Sequence, residues 1–223
     1  MEDTLHYPPP WKLYGEGFII PFLANEKEII KNGFLTEEDK NEYAGGFGAC
    51  MIVNYESSDV GPYFELLFIP GDFKYKDPLK SKPKLHKRIS KIYVSSEMSI
   101  QEGRRNWAIP KEYANFKWTK DKNTTGITIT TKDNQNILDA NFTKILFPFP
   151  VTTKIYPVSL LQKSEANQFI RTKFSGHGKA YFSKINNLSS NEKFFVDINK
   201  NSKFHFGLSV NEFNITFPIP EIF

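Results

Sequence analysis

The chain has a single cysteine, Cys50, and only four histidines, His6, His86, His177 and His205, among its 223 residues. One thiol excludes an internal disulfide and suits a reducing compartment. Set between Ala49 and Met51-Ile52, Cys50 reads as core rather than as a nucleophile. The histidines lack ligand spacing, so no metal is expected. No apolar run approaches the ~20 residues needed to cross a bilayer. Residues 1–10 lack the basic start and apolar stretch of a secretory signal. No membrane partner is therefore expected, and the expected location is cytoplasmic. There is no G-x-S-x-G elbow, and Gly176-His177-Gly178-Lys179 is missing the rest of a Walker loop, so no cofactor is expected.

Strong charge of one sign is also missing, the formal net charge being +4. The cations concentrate between Lys74 and Lys91, around Pro78 and Pro83, with no aromatic residue after Tyr75 in that stretch. Such a stretch reads as a solvated loop, and no nucleic-acid partner is expected.

What the chain does have is bulky apolar material. Hydrophobic residues make up 39% and aromatics 15%, including 21 Phe, which favours pleated, half-buried surfaces. Gly126 to Thr131 alternates as a half-buried strand, and Ile137 to Phe149 reads as a pair of extended segments closed by Pro148 and Pro150. Near the C-terminus Phe204, Phe206, Leu208 and Val210 share one parity, whereas Phe213, Ile215, Phe217 and Ile219 share the other. A bulge or turn at Asn211-Glu212 must reset the phase. Gly45-Gly46-Phe47-Gly48 marks a strand start. Helical signals are few: a capped turn at Thr36-Glu37-Glu38-Asp39, a short helix beginning at Pro110, and a weakly periodic stretch from Pro157 to Arg171. The length fits one domain, 1–223, of mainly β architecture, a closed or partly closed barrel with a few short helices.

Two segments could carry chemistry. In Gly61 to Gly71 an extended backbone puts Tyr63, Glu65, Leu67 and Ile69 on one face and Phe64, Leu66 and Phe68 on the other. Both faces are apolar, so Glu65 is a carboxylate set in a buried stripe, costly unless paired or neutral. It marks a functional site, or it is a structural group near a strand end or tied to an arginine. In Glu102 to Tyr113 an extended reading puts Trp107, Ile109 and Lys111 on one side, with Tyr113, Phe116 and Trp118 close behind. Apolar surroundings disfavour an ammonium ion and favour a neutral, nucleophilic amine. By itself Lys111 reads first as one of many solvated surface lysines in a lysine-rich chain.

Taken together, the two segments resemble the acetoacetate decarboxylase family. Gly61-x-Tyr63-x-Glu65 is similar to the family strand that bears an active-site glutamate. Ile92-Tyr93-Val94, Glu97, Gly103-Arg104 and Pro110-Lys111 keep the spacing of a second family motif. The likeness is closer still to a group of fungal proteins with GPY-x-ELLFIPG and GR-x-NW-x-IPK patterns. The resemblance implies a cone-like double β-barrel with an internal cavity. It also implies a lyase-type mechanism in which Lys111 forms a Schiff base with a small keto acid or related carbonyl compound. Decarboxylation or aldol and dehydratase chemistry would follow. Glu65 would handle protons or orient, Arg104 would position substrate or tune Lys111, and Tyr63, Trp107 and Glu112 would contact substrate. A homo-oligomer is the common family arrangement. Two positions depart from the family pattern: Glu112 stands where a second lysine follows the nucleophile, and ungapped counting puts Glu16 where an arginine is usual. A non-catalytic barrel holding a small or apolar ligand in the same cavity is the alternative.

Overall fold

The protein is described from a computed structural model, which covers residues 6–75, 84–154, 158–201 and 206–223. It is mainly β. The chain opens with β1 (Trp11–Leu23), α1 (Glu26–Asn32), α2 (Glu37–Glu42), β2 (Phe47–Ser57), β3 (Tyr63–Ile69) and β4 (Asp72–Tyr75). β5 (Lys84–Lys87), β6 (Lys91–Val94), α3 (Glu97–Trp107), β7 (Lys111–Tyr113), β8 (Asn115–Asp121) and β9 (Thr124–Thr130) follow. It closes with β10 (Asn136–Thr152), β11 (Leu160–Lys163), β12 (Phe169–Thr172), β13 (Ser175–Ser190), α4 (Ile198–Asn201), β14 (Phe206–Phe217) and β15 (Glu221–Ile222).

Ten strands form one sheet in the order β7-β6-β3-β2-β1-β14-β13-β10-β9-β8, and five form a second in the order β15-β12-β11-β5-β4. The outermost strands of the large sheet, β7 and β8, are separated in sequence by Ala114 alone. So short a link forces the two ends of the sheet together, and the sheet curls into a half-barrel. Phe64 on β3 stacks on Phe116 of β8 with centroids 5.7 Å apart, and Phe18 on β1 stacks on Phe142 of β10 at 4.1 Å. These rings fill the concave core together with Leu66, Phe68 and Ile129.

Strand parity sends alternate residues to a second core on the opposite face. Leu66 and Phe68 enter the first core, and Tyr63, Leu67 and Ile69 the second, so β3 is buried on both sides as its two apolar stripes require. β14 keeps its apolar side chains on the second face by a bulge. Gly17 opposes Val210 and Gly15 opposes Phe213, which leaves Asn211 and Glu212 facing Glu16 alone, and Glu212 takes φ 49°. Val210 and Phe213, of opposite parity, therefore share the second core. Phe204 falls outside the described residues.

Other sequence expectations meet mixed outcomes. Thr36 and Asp39 form a reciprocal capping box that starts α2, and β2 begins at Phe47 directly after Gly45-Gly46. Cys50 is fully buried. Ile137 to Phe149 is part of one long strand, which runs through Pro148 and Pro150 with a register irregularity between Ile145 and Phe149. The stretch from Pro157 to Arg171 contributes β11 and β12 rather than a helix. The basic segment is not a single solvated loop: its described parts include β5 and β6. Arg88 is buried and ion-paired with Asp39 and Glu42, and Lys87 pairs with Asp72. Residues 76–83 of that segment fall outside the described residues. No helix among the described residues is long and apolar enough to cross a membrane.

Candidate active site

The segment before Lys111 is a helix, not a strand, and no helix begins at Pro110. Ser96 caps α3 by accepting from the Ser99 amide at 3.2 Å, Glu97 sits in the first turn, and Arg104 and Arg105 sit in the last. Ala108 takes the left-handed conformation, φ 52°, and its N–H bonds the Arg104 carbonyl. Pro110 prevents any continuation. The chain then turns into β7, which pairs in parallel with β6, Lys111 opposite Ile92.

Three residues at four-residue spacing, Ser99, Gly103 and Trp107, form the face of α3 that meets the Lys111 side chain and the adjoining cavity. Ser99 Oγ lies 2.9 Å from Lys111 Nζ. Gly103 leaves room for the lysine stem, since a Cβ there would stand 2.9 Å from both Cδ and Cε. Trp107 closes one wall and donates from its indole N–H to the Pro218 carbonyl at 3.0 Å.

The amine of Lys111 is buried, the residue being only 4% exposed. Besides Ser99 it meets Glu65 Oε2 at 3.1 Å and the Tyr63 hydroxyl at 3.4 Å. Glu65, equally buried, accepts a second hydrogen bond from the Tyr55 hydroxyl at 3.1 Å. Burial, and after it the negative charge of Glu65, pushes the pKa of both the Tyr55 and the Tyr63 phenol well above the usual range; at Tyr63 a bond with Ser99 acts in the opposite direction. Both phenols therefore remain neutral, Tyr55 donating to Glu65 and Tyr63 accepting from the Lys111 amine.

Lys111, Glu65, Tyr55 and Tyr63 border a cavity of about 240 Å³ on the second face of the large sheet. That is below the ~300–1,000 Å³ of sites for drug-sized ligands and suits a smaller molecule. Its walls are overwhelmingly apolar, with Trp11, Leu13, Met51, Leu67, Ile92 and Phe213 among them.

Of the residues singled out in the sequence, Lys111, Glu65, Tyr63 and Trp107 meet at this cavity, and Ile109 lines it too. Arg104 does not line it. Its guanidinium donates to the Lys111 carbonyl at 3.0 and 2.6 Å, fixing the backbone and leaving the amine alone. Glu112 points the other way, as strand alternation dictates, and pairs with Lys91 at 2.7 Å. Glu16 also faces away, toward the first core, where it pairs with Lys120. Phe116 and Trp118 belong to that first core and not to the surroundings of Lys111. Tyr55 and Ser99 were missed. The four-residue spacing of Ser99, Gly103 and Trp107 behind a Ser96 cap was the signal available for Ser99. Tyr55 offered none, because it reaches Glu65 only through the pairing of β2 with β3. Among the described residues no cluster of three His, Cys, Asp or Glu side chains could hold a metal ion.

Residues 8–145 match the model of the acetoacetate decarboxylase family. The chain belongs to that family. The matched span includes both Glu65 and Lys111. Solved structures extend the likeness along the chain. The acetoacetate decarboxylase of Legionella pneumophila superposes with a TM-score of 0.73 at 16% identity, covering 100% of this chain and 92% of that one. MppR, an enduracididine biosynthesis enzyme, gives 0.68 at 12% identity, covering 99% and 90%. An acetoacetate decarboxylase-like enzyme from Sphingomonas wittichii gives 0.67 at 8% identity, covering 100% and 98%. At such identities these superpositions establish the fold that family members share. No curated protein sequence matches the chain.

Proposed function

We propose that this family member is a Schiff-base enzyme in which Lys111 condenses with a small carbonyl compound. The observation that carries the reading is the buried Lys111 amine at the cavity wall, 3.1 Å from Glu65. A lysine placed there has a carboxylate that can take its proton, which frees the nitrogen lone pair for attack on a carbonyl carbon. The carbinolamine then loses its oxygen as water, with Glu65 returning the proton. The protonated imine accepts an electron pair from a bond α to the former carbonyl: from C–COO⁻ if carbon dioxide leaves, or from C–H if Glu65 takes a proton. Ser99 and Tyr63 hold the nitrogen in place, and Tyr55 fixes the carboxylate. Glu112, directed outward, does not oppose this chemistry.

Borohydride reduction in the presence of a panel of ketones, aldehydes and keto acids should leave a stable adduct, and peptide mass mapping should place it on Lys111. No adduct with any panel member would remove the covalent mechanism. A Gly103→Ala variant sharpens the test. The added methyl stands where the lysine stem now runs, and a nucleophile displaced by about 1 Å can lose ~100-fold in rate. The gain of ~1 kcal/mol in helix propensity offsets much of the crowding, so trapping should fall steeply while stability changes little. Unchanged trapping in Gly103→Ala would mean that the observed lysine geometry is not required.

A non-catalytic carrier of apolar molecules is the second reading, favoured by the almost wholly apolar walls. Tight ligand binding that survives Lys111→Ala would favour it.

A further inference from the structure

We infer that the cavity selects an uncharged carbonyl compound, a ketone, aldehyde or keto ester, over a keto acid; this rests on the Schiff-base reading and names its substrate class. Among the described residues that line the cavity, the formal charges are Lys111 and Glu65, and they face each other at 3.1 Å, a neutral pair. His177, also at the cavity, is an exposed residue of β13. Tyr55 and Tyr63 supply neutral hydroxyls.

No guanidinium lines the cavity among the described residues. Arg104 is spent on the Lys111 carbonyl, and Arg88 on Asp39, Glu42 and the Leu161 carbonyl. The position of Glu16 carries an acid, and it is turned to the opposite face of the sheet to meet Lys120.

A keto acid would bring a second carboxylate into this space. Converting Lys111 to a protonated imine leaves the balance unchanged, one cation against Glu65. The substrate anion would then be buried without a counter-charge and close to a like charge, which is strongly unfavourable in apolar surroundings. An uncharged carbonyl compound carries no such cost and buries its alkyl part against Leu13, Leu67, Ile92, Trp107 and Phe213. With no carboxylate to lose, the pair that fills the enamine must come from an α C–H bond. Glu65 takes that proton, the C–H electrons become the C=C bond, and the C=N electrons settle on the Lys111 nitrogen. Return of the proton completes α-proton exchange.

Levulinate and methyl levulinate isolate the charge, because they differ only by the ester methyl and their ketone is remote from it. Wild-type protein incubated with each in the presence of cyanoborohydride, and followed by intact mass, should accumulate the ester adduct about tenfold faster or more, after normalisation to the rates with free N-acetyl-lysine. The same protein in D2O should exchange the α-protons of 2-pentanone, and Lys111→Met should not. Equal or faster trapping of levulinate would overturn the selectivity and leave the Schiff-base reading standing. An adduct with neither compound, and no exchange, would overturn both.

Discussion

Replacing Lys111 by methionine is expected to abolish imine trapping outright and to lower the unfolding free energy by about 3–5 kcal/mol, the usual cost of stranding one member of a buried ion pair. The methionine side chain can occupy the space of the lysine stem beside Gly103, so the packing loss is small. What remains is Glu65, about as buried as its lost partner, holding only the Tyr55 hydroxyl. Glu65→Leu should destabilise for the mirror-image reason, leaving an ammonium ion among apolar walls. The double variant Lys111→Met/Glu65→Leu is the informative one. A buried pair replaced by apolar groups is often neutral or stabilising by ~1–4 kcal/mol, so most of both losses should be recovered, less ~1–3 kcal/mol for the unpaired Tyr55 hydroxyl. Urea unfolding of the four proteins measures the coupling. Simple additivity of the two single losses would contradict a direct Lys111–Glu65 interaction. Recovery of stability in a protein that can no longer trap a carbonyl compound would indicate that the pair is kept for chemistry at the expense of stability.

Truncating Trp107 to alanine should cost about 3–5 kcal/mol, the range for large aromatic deletions in a core. Its indole meets Trp11 edge-on with centroids 4.8 Å apart and Phe217 at 5.5 Å, and it is 2% exposed. Its N–H also ties α3 to the C-terminal segment through the Pro218 carbonyl. Because Trp107 is a cavity wall as well, the same change enlarges the space beside Lys111. Trp107→Phe should keep much of the stability and lose the hydrogen bond, worth ~0.5–1.5 kcal/mol. Chemical unfolding gives the stability. Trapping of a longer ketone, compared with a short one, reports the change in shape. A loss below about 1 kcal/mol for Trp107→Ala would mean that the helix end is not packed as described.

Much of the site was legible because strand alternation is written residue by residue. The two apolar stripes of Tyr63 to Ile69 require burial on both faces, and that places Glu65 on the same side as Tyr63 and Leu67. The same alternation sends Lys111 inward and Glu112 outward, although the adjacency of Glu112 in sequence had suggested interference or substrate contact. The phase reset at Asn211-Glu212 was legible for the same reason, since two apolar sets of opposite parity cannot share a face without an extra residue.

α3 was not legible. Its apolar stripe is short and interrupted by glycine, and much of its length is charged or polar, so no helical period stood out and an extended reading placed Trp107 beside Lys111. The extended reading reached the right neighbours by the wrong geometry, and so it missed Ser99, one helical turn before Gly103.

Lys111 and Glu65 were each identifiable as buried, chemically capable groups from sequence pattern and family motif. Their meeting was implied by the family resemblance alone, and nothing in the residue pattern showed it. β7 pairs with β6 and β6 with β3, so the lysine reaches the carboxylate diagonally across an intervening strand. Alternation is a local property of the backbone and can be read from neighbouring residues. Which strands lie side by side, and which charges then neutralise one another in an apolar cavity, is decided by burial over the whole sheet, and only the tertiary structure records it.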